Sequence, residues 1–262
     1  MISEKYFIEN YKFFWDELFP GVQDYIRKLN KIDDTSESKI SIINLESKID
    51  NIDSDSSLVG IVNDISFRFF EMNKNKASYN IEKDTEKLFR EFKTLKRYQN
   101  ISENANLINE IETISALTSN LIERFEKFKN INIFPLFYGC GILNEVKGDV
   151  IYENTLVEIK ARGQKRKRTK KIENQNDLSK SAGFKSEDLF QLFIYASLYY
   201  SENSRTKEFR YGEILRFELF NPRLLIYWNE SIETVARNIS GGSAIDVYDE
   251  ILRFIGRTNM SL

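Results

Sequence analysis

A short stretch of the chain contains two carboxylates and one ammonium group, those of Asp149, Glu158 and Lys160. Two carboxylates held close together repel each other, and a divalent cation between them removes that cost. Mg²⁺ prefers oxygen ligands, binds through one or two protein carboxylates, and keeps waters and phosphate oxygens as its other ligands. Such a metal activates water and holds a phosphodiester, while a neighbouring lysine stabilises transition-state charge. These residue types therefore suit metal-dependent phosphodiester hydrolysis.

A β-hairpin is the element that would bring these three side chains together. Two runs rich in β-branched and aromatic residues, Val150-Ile151-Tyr152 and Leu156-Val157, flank the polar pair Glu153-Asn154. If that pair is the loop, Asp149 lies directly opposite Glu158, with Cβ atoms about 5 Å apart on one face. Because side chains alternate along a strand, the lysine two residues further on shares this face. An ordinary surface hairpin with a cross-strand lysine–glutamate pair fits the same residues, and the hairpin alone leaves both interpretations open.

Two further motifs extend the pattern. Gly148-Asp149, Glu158-Ile159-Lys160 and Gln191-Leu192-Phe193-Ile194-Tyr195 follow one another in the chain. This order resembles the Gly-Asp, Asp/Glu-x-Lys and Gln-x-x-x-Tyr motifs of the RecB-like branch of the PD-(D/E)XK nuclease superfamily. The segment 187–196 is also similar to a helix of McrC-type restriction subunits. The resemblance covers roughly residues 131–230, and Gly148 replaces the superfamily's proline, as is common in the RecB-like branch.

The resemblance implies a role for each matched residue. Asp149 and Glu158 would bind Mg²⁺ or Mn²⁺, and Lys160 would be the catalytic lysine. Gln191 and Tyr195 would be supporting residues of the active site. The family often has a further acid on the helix before its first strand, and the candidates here are Glu110, Glu112 and Glu123. The resemblance also implies DNA as the substrate and, in some relatives, a separate ATP-driven motor in restriction or phage defence.

A dense basic run begins just after Lys160. Its members are Arg162, Lys165, Arg166, Lys167, Arg168, Lys170 and Lys171. Runs of this kind are usually solvated loops whose charges repel one another. This run leaves the strand that carries the proposed catalytic lysine, so it starts beside the proposed metal. We therefore predict that it binds the phosphates of DNA without reading bases.

Composition excludes several other kinds of site. The 262-residue chain has no histidine, which excludes Ser-His and Cys-His catalysis and histidine-metal nucleases. Its single cysteine, Cys140, excludes an internal disulfide and the four-cysteine cluster of some RecB-like nucleases. No Gly-x-x-x-x-Gly-Lys-Ser/Thr loop occurs, so any motor would be a separate polypeptide. Without a long apolar run or a secretory signal, the expectation is a cytoplasmic protein that does not enter membranes.

The hydrophobic pattern predicts two domains. Residues 1–130 indicate an all-helical module, with an aromatic-rich helix over 4–19 and another helix over 104–129. Residues 33–57 indicate a mobile segment with at most a weak helix. Residues 131–262 alternate strands and helices, which favours an α/β (α+β) fold with a mixed, restriction-endonuclease-like sheet flanked by helices.

The helical module has two open interpretations. It caps the sheet, or it docks a protein partner such as a helicase or ATPase. The alternative function for the whole chain is a catalytically silent nuclease-fold subunit that binds nucleic acid or a protein. A helical adaptor whose C-terminal fold is structural is a further alternative.

Overall fold

The protein combines helices and strands, as the sequence predicts. The structure is a computed structural model that describes residues 1–30, 40–42, 66, 70, 111–160, 183–206, 210–222 and 226–257. The helices of this part are α1 (Glu4–Leu18), α2 (Gly21–Leu29), α3 (Ile111–Phe125), α4 (Ser186–Thr206), α5 (Ile232–Ser240) and α6 (Ala244–Arg257). The strands are β1 (Ile40–Ile42), β2 (Ile131–Ile133), β3 (Leu136–Phe137), β4 (Val146–Lys147), β5 (Val150–Tyr152), β6 (Thr155–Ile159), β7 (Arg216–Asn221) and β8 (Ile226–Ser231).

Within the described residues, six strands form one mixed sheet in the order β1-β8-β7-β6-β5-β2. Strands β6 and β7 are parallel, and the other neighbouring pairs are antiparallel. Parallel neighbours need a long crossover, and α4 lies in the crossover between β6 and β7. Strands β3 and β4 pair separately, and we call this pair the β3–β4 ribbon. Strand β1 lies where the sequence indicated at most a weak helix, and its pairing with β8 accounts for the difference.

The sheet has a helix-covered face that positions the candidate site. Because side chains alternate, Glu158, Phe217 and Trp228 point to this face, which we call the site face. The Phe217 ring contacts Phe193 of α4, with 4.8 Å between ring centroids. The Trp228 ring lies 5.9 Å from that of Tyr25 in α2. Helices α2 and α4 thus cover the site face.

Helix α1 packs on α4 through aromatic side chains. Ser3 is its N-cap, and the Ser3 side chain accepts a hydrogen bond from the Tyr6 N–H at 3.3 Å. On its buried side, the Trp15 ring stacks on Phe190 with centroids 5.0 Å apart. Burial of such a side chain contributes about 1.5–3 kcal/mol to stability. The helix ends before Pro20, as the sequence predicts, and α2 follows directly.

The chain divides into two compact units. The first consists of Met1–Ile43, Asn130–Asn221 and Ile226–Leu262, and the second of Asn44–Lys129 and Pro222–Leu225. One division falls near the predicted boundary at residue 130. However, α1 and α2 belong to the unit that contains the sheet, because their aromatic faces pack on α4 and β8, while α3 belongs to the second unit. Among the described residues, no helix is both long and apolar enough to span a membrane.

Candidate active site

The hairpin formed by β5 and β6 has the register that the sequence predicts. Tyr152 pairs with Thr155 across a two-residue loop. The next position outward from the paired strands therefore brings Asp149 opposite Glu158. The Asp149 carboxylate also accepts a hydrogen bond from the Ile159 N–H at 2.7 Å, which ties it to β6. The two acids are thus held on neighbouring strand ends.

Gly148 lets the chain pass close to an aromatic ring just before the first acid. A Cβ atom on this residue would lie 2.9 Å from Cε2 of Phe137 and 3.3 Å from Cγ of Pro135. The Phe137 ring in turn stacks on Tyr195, with centroids 5.2 Å apart and planes 10° from parallel. A side chain at this position would therefore displace the ring that supports the site.

Lys160 connects β6 to α4. Its Nζ donates hydrogen bonds to Oε1 of Glu158 at 2.5 Å and to Oε1 of Gln191 at 2.8 Å. Burial lowers the pKa of Lys160, but the carboxylates of Glu158, Asp188 and Asp149 outweigh burial and leave the pKa above its usual value. At neutral pH the side chain is therefore an ammonium group, and it donates hydrogen bonds.

Glu158 is buried, and only one of its two carboxylate oxygens has a hydrogen-bond partner among the described residues. Burial, followed by the nearby Asp149 carboxylate, raises the pKa of Glu158 well above its usual value, against the opposing effect of Lys160. Among the described residues, Oε2 of Glu158 has no hydrogen-bond partner. A buried polar atom without a partner costs about 1–3 kcal/mol, and more when it is charged. A cation or hydrogen-bond donor placed beside Oε2 would remove this cost.

Gln191 and Tyr195 lie one turn apart on α4 and meet a third acid. The Gln191 amide donates to Oε1 of Glu4 and to the Tyr195 hydroxyl, both at 2.6 Å. The Tyr195 hydroxyl donates to the same Glu4 oxygen at 2.7 Å. Since the Gln191 carbonyl oxygen binds Lys160, this amide links the lysine to Glu4. Burial is the largest effect that raises the pKa of Tyr195, so it stays a neutral hydroxyl.

Glu4 is the site residue that sequence interpretation missed. It is the first residue of α1, and its position is fixed because Ile2 bridges to Leu143. Burial is the main effect that raises the pKa of Glu4, while its hydrogen bond with Tyr195 and the charge of Lys160 lower it. One signal was present in the sequence. Glu4 continues the buried stripe of Phe7 and Trp15 one turn towards the helix start.

The predicted helix glutamates and the predicted DNA-binding residues are not among the described residues that meet at this site. Glu110 lies outside the described residues, and Glu112 lies in α3 with a side chain outside them. Glu123 is exposed on α3. The additional acid that contacts the other candidate site residues is Glu4 of α1. All the predicted DNA-binding residues, Arg162, Lys165, Arg166, Lys167, Arg168, Lys170 and Lys171, lie outside the described residues.

The carboxylates of the site fit a divalent cation with few protein ligands. Within the described part of the chain, no group of three histidine, cysteine or acidic side chains forms a complete metal centre. Mg²⁺ is usually held by only one or two carboxylates, with waters and substrate oxygens completing its shell. Asp149 and the unpartnered Oε2 of Glu158 match this donor set.

Comparison with known proteins gives no relative. The chain matches no protein-family model, and no curated protein or solved structure is significantly similar to it. A functional interpretation of the chain therefore depends on the motifs and on the geometry of the site.

Proposed function

We propose that the protein is a metal-dependent nuclease that hydrolyses phosphodiester bonds of DNA, with a restriction-endonuclease-like core. One observation carries the proposal. Asp149, Glu158 and Lys160 gather at the end of one hairpin, and Oε2 of Glu158 is buried without a partner among the described residues. An ordinary surface hairpin does not bury a carboxylate in this way, because burying a charge without full hydrogen bonding is costly.

The residues of the site divide the chemistry between them. Asp149 and Glu158 would hold Mg²⁺ or Mn²⁺, and the bound cation supplies Lewis-acid polarisation of the phosphate. Lys160, with its raised pKa, keeps its proton and stabilises the negative charge that develops on the phosphate oxygens. Its ammonium group therefore does not act as the general base.

Gln191, Tyr195 and Glu4 position the lysine. The Gln191 carbonyl oxygen fixes the ammonium group at 2.8 Å, and its amide nitrogen is held by Glu4 and Tyr195. A lysine with free rotamers loses about 2 kcal/mol of side-chain entropy when it is ordered. Because the network orders the lysine side chain when the protein folds, less side-chain entropy is lost when the substrate binds.

A catalytically silent subunit is the second candidate function, and a specific observation favours it. Lys160 is already paired with Glu158. In that case the protein would bind nucleic acid or a protein partner without cleaving DNA. In either case, a helicase or ATPase partner in restriction or phage defence would be a separate polypeptide, docked through the N-terminal helices.

Cleavage assays test the proposal directly. Plasmid, linear duplex and single-stranded DNA are incubated with the full chain in EDTA, Mg²⁺ or Mn²⁺. We expect cleavage only with metal, and Lys160→Ala to be about 100 to 1,000 times slower. Lys5→Ala is the matched control, since Lys5 is 86% exposed on α1, and it should cleave like the wild type.

Two outcomes contradict the nuclease proposal. Cleavage by Lys160→Ala at the wild-type rate would show that the active site lies elsewhere. A wild type that binds DNA but cleaves it under no metal condition would support the silent subunit.

A further inference from the structure

The β3–β4 ribbon has two different faces. Strand alternation places Phe137 and Val146 on one face, and Leu136 and Lys147 on the other. Phe137 and Val146 are buried, whereas Lys147 is exposed. The inner face supports the candidate site, because the Phe137 ring stacks on Tyr195. We call the opposite side, with Lys147, the outer face.

Two aromatic rings with cations above them lie along this outer side. Lys147 Nζ is 3.9 Å from the centroid of the Phe134 ring. The Arg210 guanidinium carbon is 4.3 Å from the centroid of the Tyr138 ring. Tyr138, which follows the buried Phe137 in the chain, remains 48% exposed. The ribbon therefore presents aromatic and cationic surfaces to solvent.

Arg210 holds this arrangement in place. Its Nη2 donates hydrogen bonds to the Leu136 carbonyl oxygen at 2.9 Å and to Oε2 of Glu202 at 2.8 Å. The Leu136 N–H donates to the Tyr211 hydroxyl at 2.9 Å. The guanidinium plane is thus fixed to the backbone of the ribbon before any ligand binds. A surface prepared in this way loses less entropy on binding.

Strand β4 leads from the outer face into the candidate site. Lys147 lies two residues before Asp149, which corresponds to about 7 Å of extended chain. On the inner side, the Tyr195 hydroxyl is 3.5 Å from the Lys147 carbonyl oxygen. The ribbon that carries Lys147 and the carboxylates of the site are therefore neighbours along the chain.

We infer that the outer face of the β3–β4 ribbon is a stacking surface for unpaired bases, so that the site selects single-stranded DNA. This inference rests on the proposed nuclease function. Every base has a π-face that stacks on aromatic rings and on arginine guanidinium planes, without sequence readout. In a duplex, the bases already stack on one another and are not available to Tyr138 or Arg210.

Stacking, rather than charge, sets this preference. The Arg210 charge is paired with the buried Glu202, and the exposed Glu145 precedes β4. The ribbon therefore adds little net positive charge, and a duplex that binds only through its phosphates gains little from it.

Binding in EDTA tests this surface without any cleavage. Fluorescence anisotropy of the full chain is measured with a labelled thymidine oligonucleotide and with a duplex of equal length. Tyr138→Ala should bind the single strand about 5- to 150-fold more weakly. Its binding to the duplex should be nearly unchanged. Tyr138→Phe should bind like the wild type, because it keeps the ring.

Phe13→Ala is the matched control, since Phe13 is an exposed aromatic on α1, 65% accessible. It should leave binding to both DNA forms unchanged, and melting temperatures should show that all variants are folded. The inference is overturned if wild type shows no preference for single strands, if Tyr138→Ala weakens both DNA forms equally or neither, or if Phe13→Ala has the same effect.

These results separate the inference from the proposed function. A chain that never cleaves DNA can still lose single-strand binding at Tyr138, and then the surface stands while the nuclease proposal fails. A chain that cleaves DNA, but binds single strands equally well after Tyr138→Ala, is a nuclease without this stacking surface.

Discussion

Two buried glutamates on neighbouring strands have opposite surroundings. Glu218 of β7 accepts hydrogen bonds at Oε2 from the Tyr152 hydroxyl at 2.6 Å and the Asn229 amide at 3.0 Å. Glu158 of β6 has Lys160 at Oε1, but among the described residues its Oε2 has no partner. Both side chains are almost inaccessible to solvent.

The register of the sheet separates the two glutamates. Glu158 is level with Leu219, so Glu218, one residue earlier, points to the opposite side, which we call the far face. Buried polar groups in folded proteins nearly always have hydrogen-bond partners. On the far face, Oε2 of Glu218 has two neutral hydrogen-bond donors. On the site face, Oε2 of Glu158 has none among the described residues, although a second acid and a lysine lie beside it. The far face therefore has its buried carboxylate fully bonded at Oε2, whereas the site face has the unpartnered oxygen that the proposed metal site requires.

The largest expected effect is on cleavage. Glu158→Gln and Glu218→Gln make the same isosteric change on the two faces. We expect Glu158→Gln to slow metal-dependent DNA cleavage about 100- to 1,000-fold, because the cation that would stabilise transition-state charge loses one of its proposed ligands. Glu218→Gln should cleave at close to the wild-type rate, since it does not reach the site face. Equal loss of cleavage in both variants would remove the distinction between the faces.

The same two variants test metal binding without a cleavage assay. A ligand that binds only the folded protein at 100 times its Kd stabilises it by about 2.7 kcal/mol. Mn²⁺ should therefore raise the melting temperature of the wild type and of Glu218→Gln, but not that of Glu158→Gln. A shift that persists in Glu158→Gln would place the metal elsewhere.

Local sequence pattern was enough to predict the hairpin. Glu153 and Asn154 between β-rich runs specify a two-residue loop, and strand alternation then determines which side chains share a face. Helix α1 and its end before Pro20 were predicted for the same reason, because apolar spacing and a proline act locally.

For Glu4, the local pattern places the residue on the stripe of Phe7 and Trp15 but does not identify it as a site residue. Glu4 reaches Gln191 and Tyr195 where Phe7 and Trp15 pack α1 on α4, and that contact joins distant parts of the chain. An acid in the first turn of a helix is also favourable for a purely local reason, the helix dipole. The sequence therefore does not show that Glu4 also contacts Gln191 and Tyr195. The pairing of β1 with β8 is equally remote, and a strand of three residues carries almost no pattern of its own.

The next largest expected effect is on stability, and a matched pair of tyrosines measures it. Tyr152→Phe removes the 2.6 Å hydrogen bond to the Glu218 carboxylate on the far face. We expect the free energy of unfolding to fall by about 1.5–3 kcal/mol, the usual value for a hydrogen bond to a charged group. Urea unfolding followed by circular dichroism measures this change.

Tyr195→Phe is the counterpart on the site face. It should cost less, because Glu4 keeps the hydrogen bond from the Gln191 amide and is only half-buried. It should nevertheless slow cleavage, since Gln191 positions Lys160. If Tyr195→Phe is the more destabilising of the two, the site face is a structural network like the far face.

The smallest expected effect concerns Asp246, which is satisfied like Glu218 but lies in solvent. Its carboxylate accepts hydrogen bonds from the Ser243 hydroxyl at 2.7 Å and the Ser243 N–H at 2.8 Å, and this capping box starts α6. These bonds, the hydroxyl first, lower the pKa of Asp246 from its usual 3.8. Because the folded pKa lies below the unfolded one, the stabilisation is present above pH 3.8 and is lost as the pH falls through the folded value.

Asp246→Asn should therefore lower the midpoint of urea unfolding slightly at pH 7, and the difference from wild type should vanish in acid. Water competes for an exposed carboxylate, so the change at pH 7 should be smaller than that of Tyr152→Phe. A change of equal size would mean that hydrogen bonding alone, without burial, determines how much a carboxylate contributes to the free energy of unfolding in this fold.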